Sequence, residues 1–187
     1  MKKLLAVFMV LLLVASVSSA QDIWGSGKMR AGVGGNLLLP SGSWGNLYGL
    51  GFGAFGKFEY GLNEDMALQA SVGFVTWGEK DNSGVKTSAS AFPAIIAAFK
   101  YNLKSLTPGL YGFAEYGLWS NKQKADTPAI NLGLFTFPAT STEVTSSDGI
   151  LAIGAGYDTG MLDFSAKYTL NGNFANIILG AAYNFGL

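Results

Sequence analysis

Seven charged side chains are the part of this sequence best placed to do chemistry: Arg30, Lys57, Glu59, Lys100, Glu115, Asp163 and Lys167. Three carboxylates among them, Glu59, Glu115 and Asp163, are the raw material of acid–base catalysis, in which one group holds a proton and another takes one. Four cations on the same face change that expectation, because a nearby opposite charge keeps a carboxylate ionised and paired. The chain has neither His nor Cys. A hydroxyl nucleophile with a His base, a thiolate nucleophile and a Cys/His zinc site are therefore all out of reach. Two shorter motifs also carry no ligand chemistry. Asp81-Asn82-Ser83-Gly84 lacks the later ligands of a calcium loop. Gly32-Val33-Gly34-Gly35 is not followed by the Lys-Ser/Thr and helix of a phosphate loop. The expectation is a protein that is not an enzyme, with no catalytic residue, no metal and no cofactor.

The seven charges fall on one face because the segments carrying them alternate. In Leu162-Asp163-Phe164-Ser165-Ala166-Lys167-Tyr168, the polar residues sit at odd positions and the apolar ones at even positions. Side chains of a strand point to opposite faces in turn. Lys28/Arg30, Lys57/Glu59 and Asp163/Lys167 each agree in parity, and the opposite parity is apolar throughout. Eight such strands are predicted: 28–39, 46–60, 66–79, 89–103, 109–120, 149–158, 162–171 and 175–186. Arg30, Asn36, Lys57, Glu59, Gln69, Ser71, Glu79, Lys100, Glu115, Asp163 and Lys167 would face inward. Phe52, Phe58, Ile95, Phe99, Phe164 and Phe185 would face outward. Inward Gly51, Gly53, Gly73, Gly117, Gly154 and Gly156 would leave space in the lumen.

So many two-faced strands, with so few helices to cover them, point to an all-β fold. The arrangement that satisfies every backbone group is an eight-stranded antiparallel up-and-down transmembrane β-barrel, with lipid outside and a polar lumen. Three short turns at one end, near 62–65, 104–108 and 159–161, contrast with longer loops at 40–45, 80–88 and 121–148. That asymmetry is the outer-membrane pattern, with both termini periplasmic. Residues 1–20 read as a secretory signal peptide: Lys2 and Lys3, an apolar run to Val17, and Ser18-Ser19-Ala20 before the cut. The domain is then residues 21–187. Without Lys2 and Lys3 it holds 10 basic and 12 acidic residues, a net charge of −2, which argues against nucleic acid as a partner.

At this level the chain resembles the OmpA/OmpX-type small outer-membrane barrels. The resemblance is carried by the pattern of residues 21–187, by the strand from Phe92 to Leu103 and by the end of the chain. There Tyr183 and Phe185 alternate as in the assembly signal of these barrels, and Leu187 stands where an aromatic residue usually closes it. The resemblance implies residence in the outer membrane of a Gram-negative bacterium, contact with its lipid and with the barrel-assembly machinery, and a monomer. In a barrel this narrow the lumen charges should pair into a plug. The function expected is a structural or surface-interaction scaffold that presents extracellular loops. The alternatives are a narrow porin-like or OmpW-like channel for small polar or hydrophobic solutes, and a soluble exported barrel that binds a small ligand. Trp44, in a segment that also resembles the start of avidin-like barrels (42–49), is read as an interfacial girdle residue. Loop 121–148 is the candidate contact surface for a surface ligand or host-cell partner, through Ile130, Leu132, Leu134, Phe135 and Phe137; the favoured reading of its alternation is that strands five and six extend above the membrane as a hairpin, which needs no partner.

Overall fold

Alternating segments have one way to satisfy their edges without a partner, which is to meet end to start. The computed structural model describes residues 24–131, 135–171 and 175–187, and in it they do so. The barrel strands are β1 (Met29–Pro40), β2 (Gly51–Gly61), β3 (Met66–Asn82), β4 (Val85–Asn102), β5 (Leu110–Thr127), β8 (Thr140–Asp158), β9 (Leu162–Thr169) and β10 (Asn176–Gly186). A six-residue helix, α1 (Gly42–Leu47), joins β1 to β2. A small ribbon of β6 (Ile130–Asn131) and β7 (Thr136–Phe137) lies between β5 and β8. All neighbours are antiparallel and follow chain order, and β10 pairs back to β1 from Arg30↔Gly186 to Pro40↔Asn176. Among the described residues no helix is long and apolar enough to cross a membrane. The expected signal peptide, residues 1–20, lies outside the described residues.

Exposure is the reverse of a soluble core. In β2, Phe52, Phe58 and Tyr60 are 56%, 40% and 37% exposed, whereas Lys57 and Glu59 are 6% and 2% exposed. The same parity holds in β8 and β9, where Ile153 and Tyr168 face out and Asp158 and Asp163 are buried. The outer wall is an apolar surface suited to hydrocarbon, and the polar atoms are inside.

Several predicted boundaries need correction. The second strand begins at Gly51 and not at residue 46, because 42–47 is helical. The predicted loop 80–88 is a hairpin: β3 and β4 meet across Ser83-Gly84, both with positive φ (56° and 88°), the backbone of a tight primed turn. Residues 121–148 are largely strand, as the hairpin reading of them expects, since β5 and β8 stay in register from Leu110↔Tyr157 to Thr127↔Thr140. Both hairpins run on past the apolar wall, with polar residues on both faces, so the alternation that marks a membrane strand fades there. Register shifts interrupt β3/β4 between Gly73/Val75 and Trp77/Lys80, and β4/β5 between Ala91/Ala94. The second of these puts Glu79 outside the lumen, 53% exposed and paired with Lys86, rather than inward as its parity suggested.

Candidate functional site

Four of the predicted charges meet at the short-turn end of the lumen as a square. The Lys57 and Lys100 ammonium groups each contact both Glu59 and Asp163 carboxylates: Lys57–Glu59 at 3.3 Å, Lys100–Asp163 at 3.1 Å, and the two remaining sides closer still. All four side chains are at most 6% exposed. Arg30 extends the square by bridging Glu59 and Asp158, the latter at 2.6 Å, and it also donates to the Gly160 carbonyl at 3.4 Å. The Tyr111 hydroxyl donates to Asp163, and the Lys100 ammonium lies 4.4 Å from the centre of the Tyr111 ring. This bolt ties β1, β2, β4, β5, β8 and β9 across the barrel. One level further in, Lys167 pairs with Glu115 at 2.6 Å.

Each of the seven predicted lumen charges is therefore inside, five of them (Arg30, Lys57, Glu59, Lys100 and Asp163) converge, and Asp158 and Tyr111 join them. The sequence reading did not include these two. Both were accessible to it: Asp158 shares parity with Gly154 and Gly156, and Tyr111 shares parity with Glu115. Asp158 completes the balance, because Arg30, Lys57, Lys100 and Lys167 now face Glu59, Glu115, Asp158 and Asp163. Equal opposite charges in contact are what make burial of so many ions tolerable.

Below the bolt, Trp24 closes the short-turn mouth. It is 3% exposed and meets Tyr111 edge-on at 5.6 Å. Its segment turns over Gly61, whose missing side chain admits the Gly25 carbonyl; a Cβ at Gly61 would collide with that oxygen.

The opposite mouth is closed by a different material. Trp44 of α1 is 4% exposed and stacks on Tyr48 (4.3 Å) and edge-on to Trp77 (5.4 Å), which in turn meets Trp119 at 5.8 Å. Trp44 is thus a lid over the lumen and not a girdle residue facing lipid, which corrects the sequence reading. The lid is fastened to the wall by Lys80, which donates to the Gly45 carbonyl, by Thr87, which donates to that of Leu47, and by the Tyr48 hydroxyl to Gln123 at 2.9 Å. Leu38, Val75, Ile150 and Ile178 pack beneath it. The space beside the inward glycines is taken up by neighbouring side chains. Tyr111 fills the space beside Gly156, Phe113 that beside Gly154, Phe55 that beside Gly73 and Trp77 that beside Gly51. Between bolt and lid a cavity of about 50 Å³ remains, lined by Gln69, Ser71, Trp119, Ser165, Lys167 and Glu115 among others. That is room for roughly three or four waters, at about 10–15 Å³ each by this measure.

The other predicted residues are apart from this lumen. Phe135 and Phe137 lie at the far end of the β5–β8 hairpin, 70% and 57% exposed. Ile130 pairs with Phe137 through its backbone, and Leu132 and Leu134 lie outside the described residues. Below them the outward face of the hairpins carries paired charges, Lys122–Glu143, Lys124–Asp126 at 2.8 Å and Lys86–Glu79 at 2.9 Å. The hydrogen bond from Lys124 holds the Asp126 carboxyl below its ordinary pKa, and that to Glu79 holds Lys86 above its own. Tyr183 and Phe185 face outward on β10 with ring centres 6.3 Å apart, and Leu187 is 75% exposed.

No protein-family model matches the sequence, and no curated protein matches it. Solved structures do. The attachment invasion locus protein Ail of Yersinia pestis aligns with a TM-score of 0.51 at 16% identity, over 87% of this chain and 99% of Ail. The same protein bound to the heparin analogue sucrose octasulfate gives 0.52 at 14% identity, over 87% and 99%. Neisserial surface protein A gives 0.46 at 18% identity, over 86% and 96%. At these identities the likeness is one of fold. The chain has the fold of the small eight-stranded outer-membrane barrels of the OmpA/OmpX type.

Proposed function

We propose that this protein is a monomeric outer-membrane scaffold whose lumen is shut at both ends and whose work is done by the hairpins it holds outside the cell. The observation that carries the reading is the lumen itself. Ion pairs cross one end, indole rings cross the other, and only a few waters' worth of space lies between them. Support for the membrane comes from the apolar outer wall and from the shared fold; support for a single copy comes from closure, which leaves no edge to pair at membrane depth. In this reading residues 1–20 direct export and are removed, lipid covers the wall, and the assembly machinery reads Tyr183, Phe185 and Leu187. Nothing catalytic is assigned to the lumen carboxylates, each of which has a cation in contact.

The test is conductance of the chain from residue 21 refolded into a planar bilayer, with a boiled-versus-unboiled gel to report folding. Folded, electrically silent protein is the expected result. Reproducible steps would instead favour a narrow channel, the second reading, which the small, partly polar cavity recommends.

A further inference from the structure

The β5–β8 hairpin is longer than the membrane requires. The last outward apolar residue of β5 is Leu118, 56% exposed, and the strand continues to Thr127. Nine residues at roughly 3.4 Å each add about 30 Å of strand, or about 22 Å of height at a tilt near 40°. Pairing with β8 is unbroken over this length. The outward face of the post is charged, but each cation there has its own carboxylate. Beyond the post the character changes. Residues 127–142 contain no charge, and Phe135 and Phe137 stand at its end 70% and 57% exposed. An apolar end on a self-neutralised post selects a partner by apolar character, not by charge. Its height puts that end beyond the reach of the bilayer in which the barrel sits.

We propose that Phe135 and Phe137 dock this hairpin on a lipid bilayer facing the cell, by burying their rings at the headgroup–acyl boundary. This rests on the reading that the hairpins face outward. Two phenyl rings on a small tip give reversible, weak attachment, strengthened when many copies act together.

The experiment uses protein refolded in nanodiscs and separate vesicles of phosphatidylcholine alone, with co-flotation as the readout. Wild-type protein should float with the vesicles equally at low and high salt. A Phe135→Ser/Phe137→Ser variant, whose folding is checked on the boiled-versus-unboiled gel, should lose about tenfold in bound fraction. Equal flotation of the variant, no flotation of wild type, or binding abolished by salt would each overturn the proposal. The outward-facing reading is tested separately. Because the chain has no Cys, a Thr136→Cys variant can be labelled on whole cells with a membrane-impermeant maleimide. Failure to label would sink the outward reading; labelling without vesicle binding would sink only the lipid partner.

Discussion

The two ends of the lumen are filled in opposite ways. At the short-turn end the filling is made from the wall: charges on five strands and the Tyr111 hydroxyl of a sixth reach inward and satisfy one another. At the long-loop end the stopper is an added piece: α1 and Tyr48 fold over the mouth and pack on Trp77. The first cannot be loosened without leaving a buried ion unpaired, so it is part of the barrel's stability. The second is a loop held by ring contacts and a few hydrogen bonds, so its loss should be local. In the proposed reading, sealing and stability are therefore separable functions of separate ends.

The largest effect should come from Glu59→Ala, because Glu59 serves Arg30, Lys57 and Lys100 at once. Leaving buried cations short of a partner costs about 3–5 kcal/mol. A fall of that size in unfolding free energy, measured by urea titration in detergent, is expected; an unchanged midpoint would sink the bolt as a stabiliser. Trp44→Ala should cost about 3 kcal/mol at the lid, as truncation of a buried indole does. Its distinguishing signature is acrylamide quenching of the remaining tryptophans. Quenching should rise for Trp44→Ala and stay unchanged for Glu59→Ala. If both variants raise it equally, the two ends are not separable.

Lys167 and Glu115 form an isolated pair, so they allow a cleaner test of burial cost. Glu115→Gln alone should lose about 2 kcal/mol, while Glu115→Gln with Lys167→Met should recover most of the loss. A double variant worse than the single would contradict the argument. Gly61→Ala pushes on the Gly25 carbonyl and should release the Trp24 segment at about 1–2 kcal/mol, visible as earlier proteolysis near the amino terminus with the barrel intact. Lys122→Ala, on an exposed pair of the outer hairpin, should leave the unfolding midpoint where it is.

The difference between the ends also explains what the sequence disclosed. The bolt was legible because two charges within one strand, as in Lys57 and Glu59 or Asp163 and Lys167, fix parity, and parity fixes the face. The lid was not, because a Trp in a glycine-rich connection has no period to read; only three-dimensional packing shows that Trp44 turns in rather than out. Glu79 failed for a related reason, since a register shift near Trp77 broke the parity count. The upper parts of β3 and β4 read as loop because they leave the apolar wall and lose the two-faced pattern there, whereas the alternation at 130–138 keeps an extension of strands five and six legible. Asp158 lay one residue from a predicted turn, where an acidic side chain is ordinarily solvated, and its charge was assigned to no partner.

Arg30 and Asp158 lie 128 residues apart and meet only in the finished ring. A chain inserted with β1 not yet joined to β10 would leave the Asp158 carboxylate in an open, partly wetted sheet without its guanidinium, which would keep only Glu59 on the neighbouring strand. Every incomplete arrangement carries this electrostatic debt into hydrocarbon, and only the closed one is free of it. The bolt is thus a checksum on assembly, written into strands made at both ends of the polypeptide.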